Sequence, residues 1–113
     1  MRRSAVVVGL ETKAREMKSR RYRFESPCGW LLPPVERIAS PNCDARPDGA
    51  APEVVIVHAV SLPPRQYGGR YVEDLFTNRL DPAAHPYFRE IAGLRVSAHF
   101  LVRRDGSLAQ FVP

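Results

Sequence analysis

The clearest apolar run of the chain lies at Glu53–Ala59, where four β-branched residues follow one another. β-Branched side chains favour strands. A continuous rather than alternating apolar run is typical of a strand that is covered on both faces. The pattern therefore predicts a buried strand, which ends before Ser61-Leu62-Pro63-Pro64.

Two short helices are predicted after this strand. Val72, Leu75 and Phe76 share one face of a helix over residues 71–76. A second helix starts near Pro86, whose fixed φ suits a first helical turn, and it ends at Gly93.

A hairpin is predicted at residues 96–112, where Asp105-Gly106 supplies the turn between two apolar segments. A strand, two helices and a hairpin form only a thin core. We therefore expect the first part of a larger α/β domain.

The two ends of the chain differ in charge and pattern. Residues 1–40 hold nine Lys and Arg against four Asp and Glu, whereas residues 41–113 hold eight of each. Residues 1–27 lack sustained apolar periodicity, so we predict a basic, disordered extension there. The five prolines of residues 28–52 predict an extended entry segment.

Length and composition exclude several classes of protein. A chain of 113 residues forms one domain at most. It contains no apolar run of the roughly 18–20 residues that cross a bilayer. The apolar run near the N-terminus stops at Glu11 and is too short for a signal peptide, which predicts a cytoplasmic protein. The basic extension leaves nucleic-acid binding as one alternative, although a solvated extension is the simpler interpretation.

Three histidines and two cysteines are candidates for site chemistry. His58 follows the apolar strand, where sites of α/β sheets assemble. His99 reaches His58 only if their strands are neighbours, and it is otherwise a half-buried structural residue. His85 is most simply a loop or helix-start residue. Cys28 and Cys43 lack metal-ligand spacing with any histidine, which predicts two reduced thiols.

From Gly29 onward the chain resembles the zinc-dependent anhydromuramyl-L-alanine amidases of the amidase_2 family. The resemblance extends over about 85 residues. The matching stretches are Ser40–Pro47, Val55–His58, Ser61–Pro64, Tyr67–Gly69, Leu75-Phe76, Asp81-Pro82, Ala84–Phe88, Leu94–Gly106 and Gln110–Pro113.

This resemblance implies a mixed β-sheet flanked by helices and a zinc cofactor. His58 corresponds to the family's first zinc ligand, and Arg95 to an arginine that contacts acidic groups of the substrate. The family's second His ligand, its Asp ligand and its catalytic Glu correspond to positions beyond Pro113. His99 is not a zinc ligand in the family. Ala59 stands where the family commonly has Asn.

The implied reaction is hydrolysis of the amide between anhydro-N-acetylmuramic acid and L-alanine in recycled muropeptides. Residues 28–113 correspond to the N-terminal portion of such an amidase domain, truncated before its C-terminal half. We therefore expect this chain alone to be inactive, with no catalytic residue of its own. The alternative is a non-catalytic module that binds peptidoglycan fragments. No nucleic acid or membrane partner is expected, and the sequence does not determine the oligomeric state.

Overall fold

The computed structural model describes residues 5–10, 22–25 and 28–113. Its strands and helices are short and are joined by long connections. The elements of this part of the chain are β1 (Ala5–Leu10), β2 (Phe24–Glu25), β3 (Trp30–Leu31), β4 (Glu36–Arg37), β5 (Val54–Ala59), α1 (Tyr71–Phe76), α2 (Phe88–Ile91), β6 (Phe100–Val102) and β7 (Leu108–Gln110).

The main sheet is mixed, as expected, with the strand order β4-β7-β6-β1-β5. Strand β1 runs parallel to both β5 and β6, whereas β6 and β7 form the antiparallel hairpin. Strand β4 pairs in parallel with β7. Strands β2 and β3 form a separate antiparallel pair.

The expectation of disorder throughout residues 1–27 is wrong at two places. Residues 5–10 form β1 inside the main sheet, and Phe24–Glu25 form β2. The apolar run that is too short for a signal peptide is long enough for a strand, and strand-forming residues dominate it. The rest of that predicted extension lies outside the described residues, apart from Tyr22 and Arg23.

The prediction that β5 is covered on both faces is also wrong. The strand forms where expected, but it lies at the edge of the sheet, and all its residues are exposed. Val55 and Ile56 point to opposite faces and are 64% and 48% exposed. A continuous apolar run does not distinguish a covered strand from an edge strand, because neighbours elsewhere in the chain decide burial.

The core lies between the hairpin and the two helices. Phe88 and Phe111 are fully buried, and the ring of Phe111 meets Phe76 edge-to-face with centroids 5.0 Å apart. Helix α1 buries Val72, Leu75 and Phe76 as predicted. It ends before Asn78, whose φ of 61° is a left-handed conformation that Asn tolerates better than most residues.

The remaining elements form near their predicted places but are shorter. Helix α2 begins at Phe88 rather than near Pro86, and β6 begins at Phe100 rather than at Val96. Gly106 adopts a φ of 84° in the turn between β6 and β7, as the Asp-Gly pair predicts. None of the helices in the described ranges is long and apolar enough to cross a membrane.

Candidate functional site

His58 is the candidate metal ligand, and the pairing of β5 with β1 determines where it lies. It is aligned with Gly9 of β1 near the carboxyl end of both strands. A Cβ atom on Gly9 would lie 3.2 Å from Cγ1 of Val60 and 3.5 Å from Cδ1 of Leu101. The missing side chain therefore lets β1 lie close to both neighbours and hold β5 in register.

The ring of His58 is oriented by its own strand. Its Nδ1 lies 3.2 Å from the carbonyl oxygen of Ala59. A carbonyl oxygen only accepts hydrogen bonds, so Nδ1 carries the proton and Nε2 keeps its lone pair in the neutral imidazole. Histidine ligands commonly donate their second ring N–H to a carbonyl in this way. His58 is thus exposed and in a tautomer suited to binding a metal through Nε2.

One histidine does not make a catalytic zinc site. Such a site takes about three protein ligands and keeps one position open. Within the described ranges, no group of three or more His, Cys, Asp or Glu residues could hold a metal ion. The described residues therefore do not fit a complete zinc site, and we derive no hydrolytic step from them.

His99 does not join His58, because His99 directly precedes β6, His58 lies in β5, and β1 lies between these two strands. The Nδ1 of His99 accepts a hydrogen bond from the backbone N–H of Val7 at 3.1 Å, and its Nε2 lies 3.2 Å from Nη2 of Arg46. Burial lowers the pKa of His99, and the positive charge of Arg46 lowers it further. The prediction of a half-buried structural histidine is confirmed.

Arg95 lies on the connection between α2 and β6 and is exposed. Its guanidinium makes no hydrogen bond or ion pair with the described part of the chain. It precedes the amino end of β6, whereas His58 lies near the carboxyl end of β5. The structure does not bring Arg95 and His58 into contact, so the substrate-binding role of Arg95 stays a prediction.

The other candidates have the simple roles that the sequence predicts. The Nδ1 of His85 accepts a hydrogen bond from the backbone N–H of Tyr87 at 3.1 Å, just before α2 begins. Cys28 and Cys43 are free and exposed.

Sequence reasoning missed a cluster of charged residues beside the carboxyl end of β6, which joins this strand to α1 and β4. Arg103 follows β6 and donates to Glu73 of α1 at 2.9 Å and to Glu36 of β4 at 2.7 Å. Burial alone would raise the pKa of Glu36, but Arg103 and Arg70 together lower it below its usual value. Burial likewise opposes the charge of Arg103, yet its two glutamates raise its pKa. Four charged residues scattered over the sequence give no local signal of this cluster.

Gln110 is a second residue that the sequence analysis missed. It is buried, its Oε1 accepts from the backbone N–H of Leu31, and its Nε2 donates to the carbonyl oxygens of Gly29 and Val112. This side chain holds the segment around β3 against β7. Its partners on that segment lie 79 and 81 positions away in the chain, so no spacing rule reveals them.

The fold and the sequence define one family. The profile of Amidase_2, described as N-acetylmuramoyl-L-alanine amidase, matches residues 48–113. That stretch covers more than half of the chain and includes both His58 and Arg95. The chain belongs to this family.

The relatives define the likeness more closely. The chain is 53% identical over 85 residues to the 1,6-anhydro-N-acetylmuramyl-L-alanine amidase AmpD of Escherichia coli K12, covering 75% of this chain and 46% of that protein. The corresponding protein of Citrobacter freundii is also 53% identical over 85 residues. The crystal structure of a Se-Met AmpD derivative matches 80% of this chain with a TM-score of 0.72 and 50% identity, over 50% of its own length. The chain thus spans about half the length of these relatives.

Proposed function

We propose that this chain forms part of a zinc amidase that cleaves the amide between anhydro-N-acetylmuramic acid and L-alanine in muropeptides. The observation that carries the proposal is His58 itself. It lies in a segment matched by the family, at the carboxyl end of a parallel strand, with Nδ1 directed at a carbonyl oxygen. The reaction is the one for which the AmpD relatives are named.

In this proposal His58 is one zinc ligand and the others come from outside the described residues. The relatives are about twice as long as the part that this chain matches. Polypeptide corresponding to their remaining half would bring the further ligands and the catalytic base. Among the described residues one edge of β5 has no strand partner and both its faces are exposed, which leaves room for such a segment beside His58.

Arg95 is proposed to bind a carboxylate of the muropeptide. Its guanidinium is exposed, and a planar guanidinium binds a carboxylate with two parallel hydrogen bonds. The cytoplasm is the proposed compartment, because two exposed free thiols suit a reducing environment.

A hybrid enzyme tests the assignment of His58. The stretch of Escherichia coli AmpD that corresponds to residues 48–113 is replaced by the sequence of this chain. Metal content and hydrolysis of an anhydromuramyl-L-alanyl peptide are then measured. We expect an active hybrid that retains zinc, and loss of both zinc and activity in the His58→Ala variant. The His85→Ala variant is the matched control, because the contacts of His85 in the described residues are local ones to Tyr87 and Phe88 near the start of α2.

Two results would contradict the proposal. A folded hybrid that keeps zinc and activity without His58 removes the ligand assignment. A folded hybrid that binds the muropeptide but never cleaves it favours the non-catalytic binding module.

For Arg95→Ala in the hybrid, we expect a raised KM with little change in kcat, as follows from loss of a contact made in both ground state and transition state.

A further inference from the structure

Arg65 lies on the connection between β5 and α1, seven positions after His58. It is exposed, and its guanidinium makes no hydrogen bond or ion pair with the described part of the chain. Its backbone has a φ of 66°, in the left-handed region that glycine adopts without strain. Residues other than glycine that are held in this region concentrate at binding and catalytic sites. The function proposed above gives Arg65 no role.

Contacts on both sides of Arg65 hold its backbone in place. Its N–H donates to Oγ of Ser61 at 3.0 Å, and Pro63 between them is buried. Two positions after Arg65, the ring of Tyr67 stacks on Arg104, whose Cζ lies 3.8 Å from the ring centroid. The loop therefore presents Arg65 to solvent from an anchored backbone. Such anchoring reduces the entropy that is lost when a ligand binds.

The sheet places this loop on the same edge as His58. Strand β1 runs parallel to β5 and to β6, so the carboxyl ends of all three strands lie at one edge. The loop follows β5, and Arg104, which contacts the loop, follows β6 by two positions. Arg95 precedes the amino end of β6 and therefore lies toward the opposite edge. Arg65, unlike Arg95, is thus a cation at the edge that carries the proposed metal ligand.

The covalent chain limits the distance between His58 and this loop. Ser61 is three positions after His58, so their Cα atoms are at most about 11 Å apart. The hydrogen bond from Arg65 to Ser61 keeps Arg65 beside this end of the loop. An extended peptide spans about 3.3–3.6 Å per residue. A bound peptide that starts at His58 therefore reaches the loop of Arg65 within a few residues.

We propose that Arg65 binds a carboxylate of the muropeptide within a few residues of the cleaved amide, and so makes the enzyme select an acidic peptide. The proposal rests on the function proposed above, which supplies the substrate and the metal at His58. A planar guanidinium binds a carboxylate through two parallel hydrogen bonds. Arg65 breaks no ion pair with a described residue when it does so. Arg95, toward the opposite edge, is left for a different acidic group.

Two muropeptides of equal length test the proposal, one with free carboxylates and one with every carboxylate amidated. Titration calorimetry measures their binding to the 113-residue chain, and hydrolysis is measured with the hybrid enzyme described above. We expect both proteins to prefer the free acid. Arg65→Gln should reduce this preference by about tenfold, because a charge-assisted hydrogen bond is lost. In the hybrid the change should appear mainly in KM.

Three further variants separate recognition from an effect on the fold. Arg65→Lys keeps the charge without the planar fork and should retain part of the preference. Arg65→Gly removes the strain of the positive φ, so a preference lost in this variant does not come from a strained loop. Arg79→Gln removes another exposed arginine and should leave the preference unchanged. Thermal unfolding of each variant establishes that it is folded.

Failure of this proposal differs from failure of the amidase assignment. An unchanged preference in Arg65→Gln overturns the role of Arg65, even where the hybrid is active and depends on His58. An equal loss of preference in Arg79→Gln overturns it too, as does a lack of binding of either muropeptide to both proteins. A preference that disappears with Arg65, in a hybrid that hydrolyses neither muropeptide, supports the role of Arg65 and rejects the amidase assignment.

Discussion

Glu73 is buried and forms an ion pair with the partly exposed Arg103, and the two residues should differ in their importance for stability. The Glu73 side chain is 4% exposed, and its Oε1 accepts from Nη2 of Arg103 at 2.9 Å and from Nε at 3.3 Å. Arg103 also donates to Glu36 at 2.7 Å. Arg103 therefore keeps a carboxylate partner if Glu73 is neutralised, whereas Glu73 has no second cation among the described residues.

This asymmetry gives different costs for the two single substitutions. Arg103→Met leaves a carboxylate buried and uncompensated, and breaking a buried pair in this way costs about 3–5 kcal/mol. Glu73→Gln keeps an amide oxygen that accepts from Arg103. The free energy of unfolding should therefore fall by only about 1–2 kcal/mol, the effect of a weakened hydrogen bond. In the double variant the buried charge is gone, so Arg103→Met should cost about 2 kcal/mol less than it does alone.

Urea denaturation followed by circular dichroism measures these free energies of unfolding. Arg79→Met makes the same chemical change at an exposed arginine and should cost less than about 0.5 kcal/mol. Equal losses from Glu73→Gln and Arg103→Met would refute the reasoning. So would a double variant whose loss is the sum of the two single losses.

Three further predictions concern the packing and protonation of the sheet. Gly9→Ala should destabilise the fold because its Cβ meets two side chains within 3.5 Å, whereas Gly93→Ala meets nothing within 4 Å and should be nearly neutral in the same urea assay. Gln110→Ala leaves three backbone groups without their side-chain partner and should lower the free energy of unfolding by about 3 kcal/mol. Gln66→Ala, at an exposed position, should lower it by almost nothing, so equal urea midpoints for the two variants would contradict the prediction. The pKa of His99 is below its usual 6.5, so the unfolded chain takes up that proton first as the pH falls. The contribution of His99 to the free energy of unfolding is fully present above about pH 6.5, and it is lost as the pH falls toward the pKa of His99 in the folded protein. The His99→Asn variant should therefore show a flatter dependence of stability on pH in this range.

The local elements could be predicted from the sequence because local residue types determine them. Four consecutive β-branched residues predict β5, and Val72, Leu75 and Phe76 at helical spacing predict α1; both form with nearly the predicted bounds. Asp105-Gly106 likewise predicts the turn of the hairpin, where Gly106 has the positive φ that such turns require.

Positions within the sheet could not be predicted, because they depend on partners far along the chain. The edge position of β5 follows from β1, which pairs with it across about fifty positions of sequence. The place of His58 at a strand end was predicted from its neighbours in sequence. The separation of His58 from His99 could not be predicted, because the strand between β5 and β6 comes from residues 5–10. The resemblance to the amidases identifies His58 and Arg95 but does not place the hydrogen bond from Val7 to His99.

The central position of β1 has a consequence for synthesis of the protein. Val8 leaves the ribosome 92 residues before its partner Phe100. At about 5–20 residues per second, roughly 5–20 s pass between the emergence of the two. Throughout that interval the β6-facing edge of β1 has no partner, and an apolar strand with a free edge is prone to pair with other chains. We therefore expect β1 to need protection from pairing with other chains until β6 has emerged.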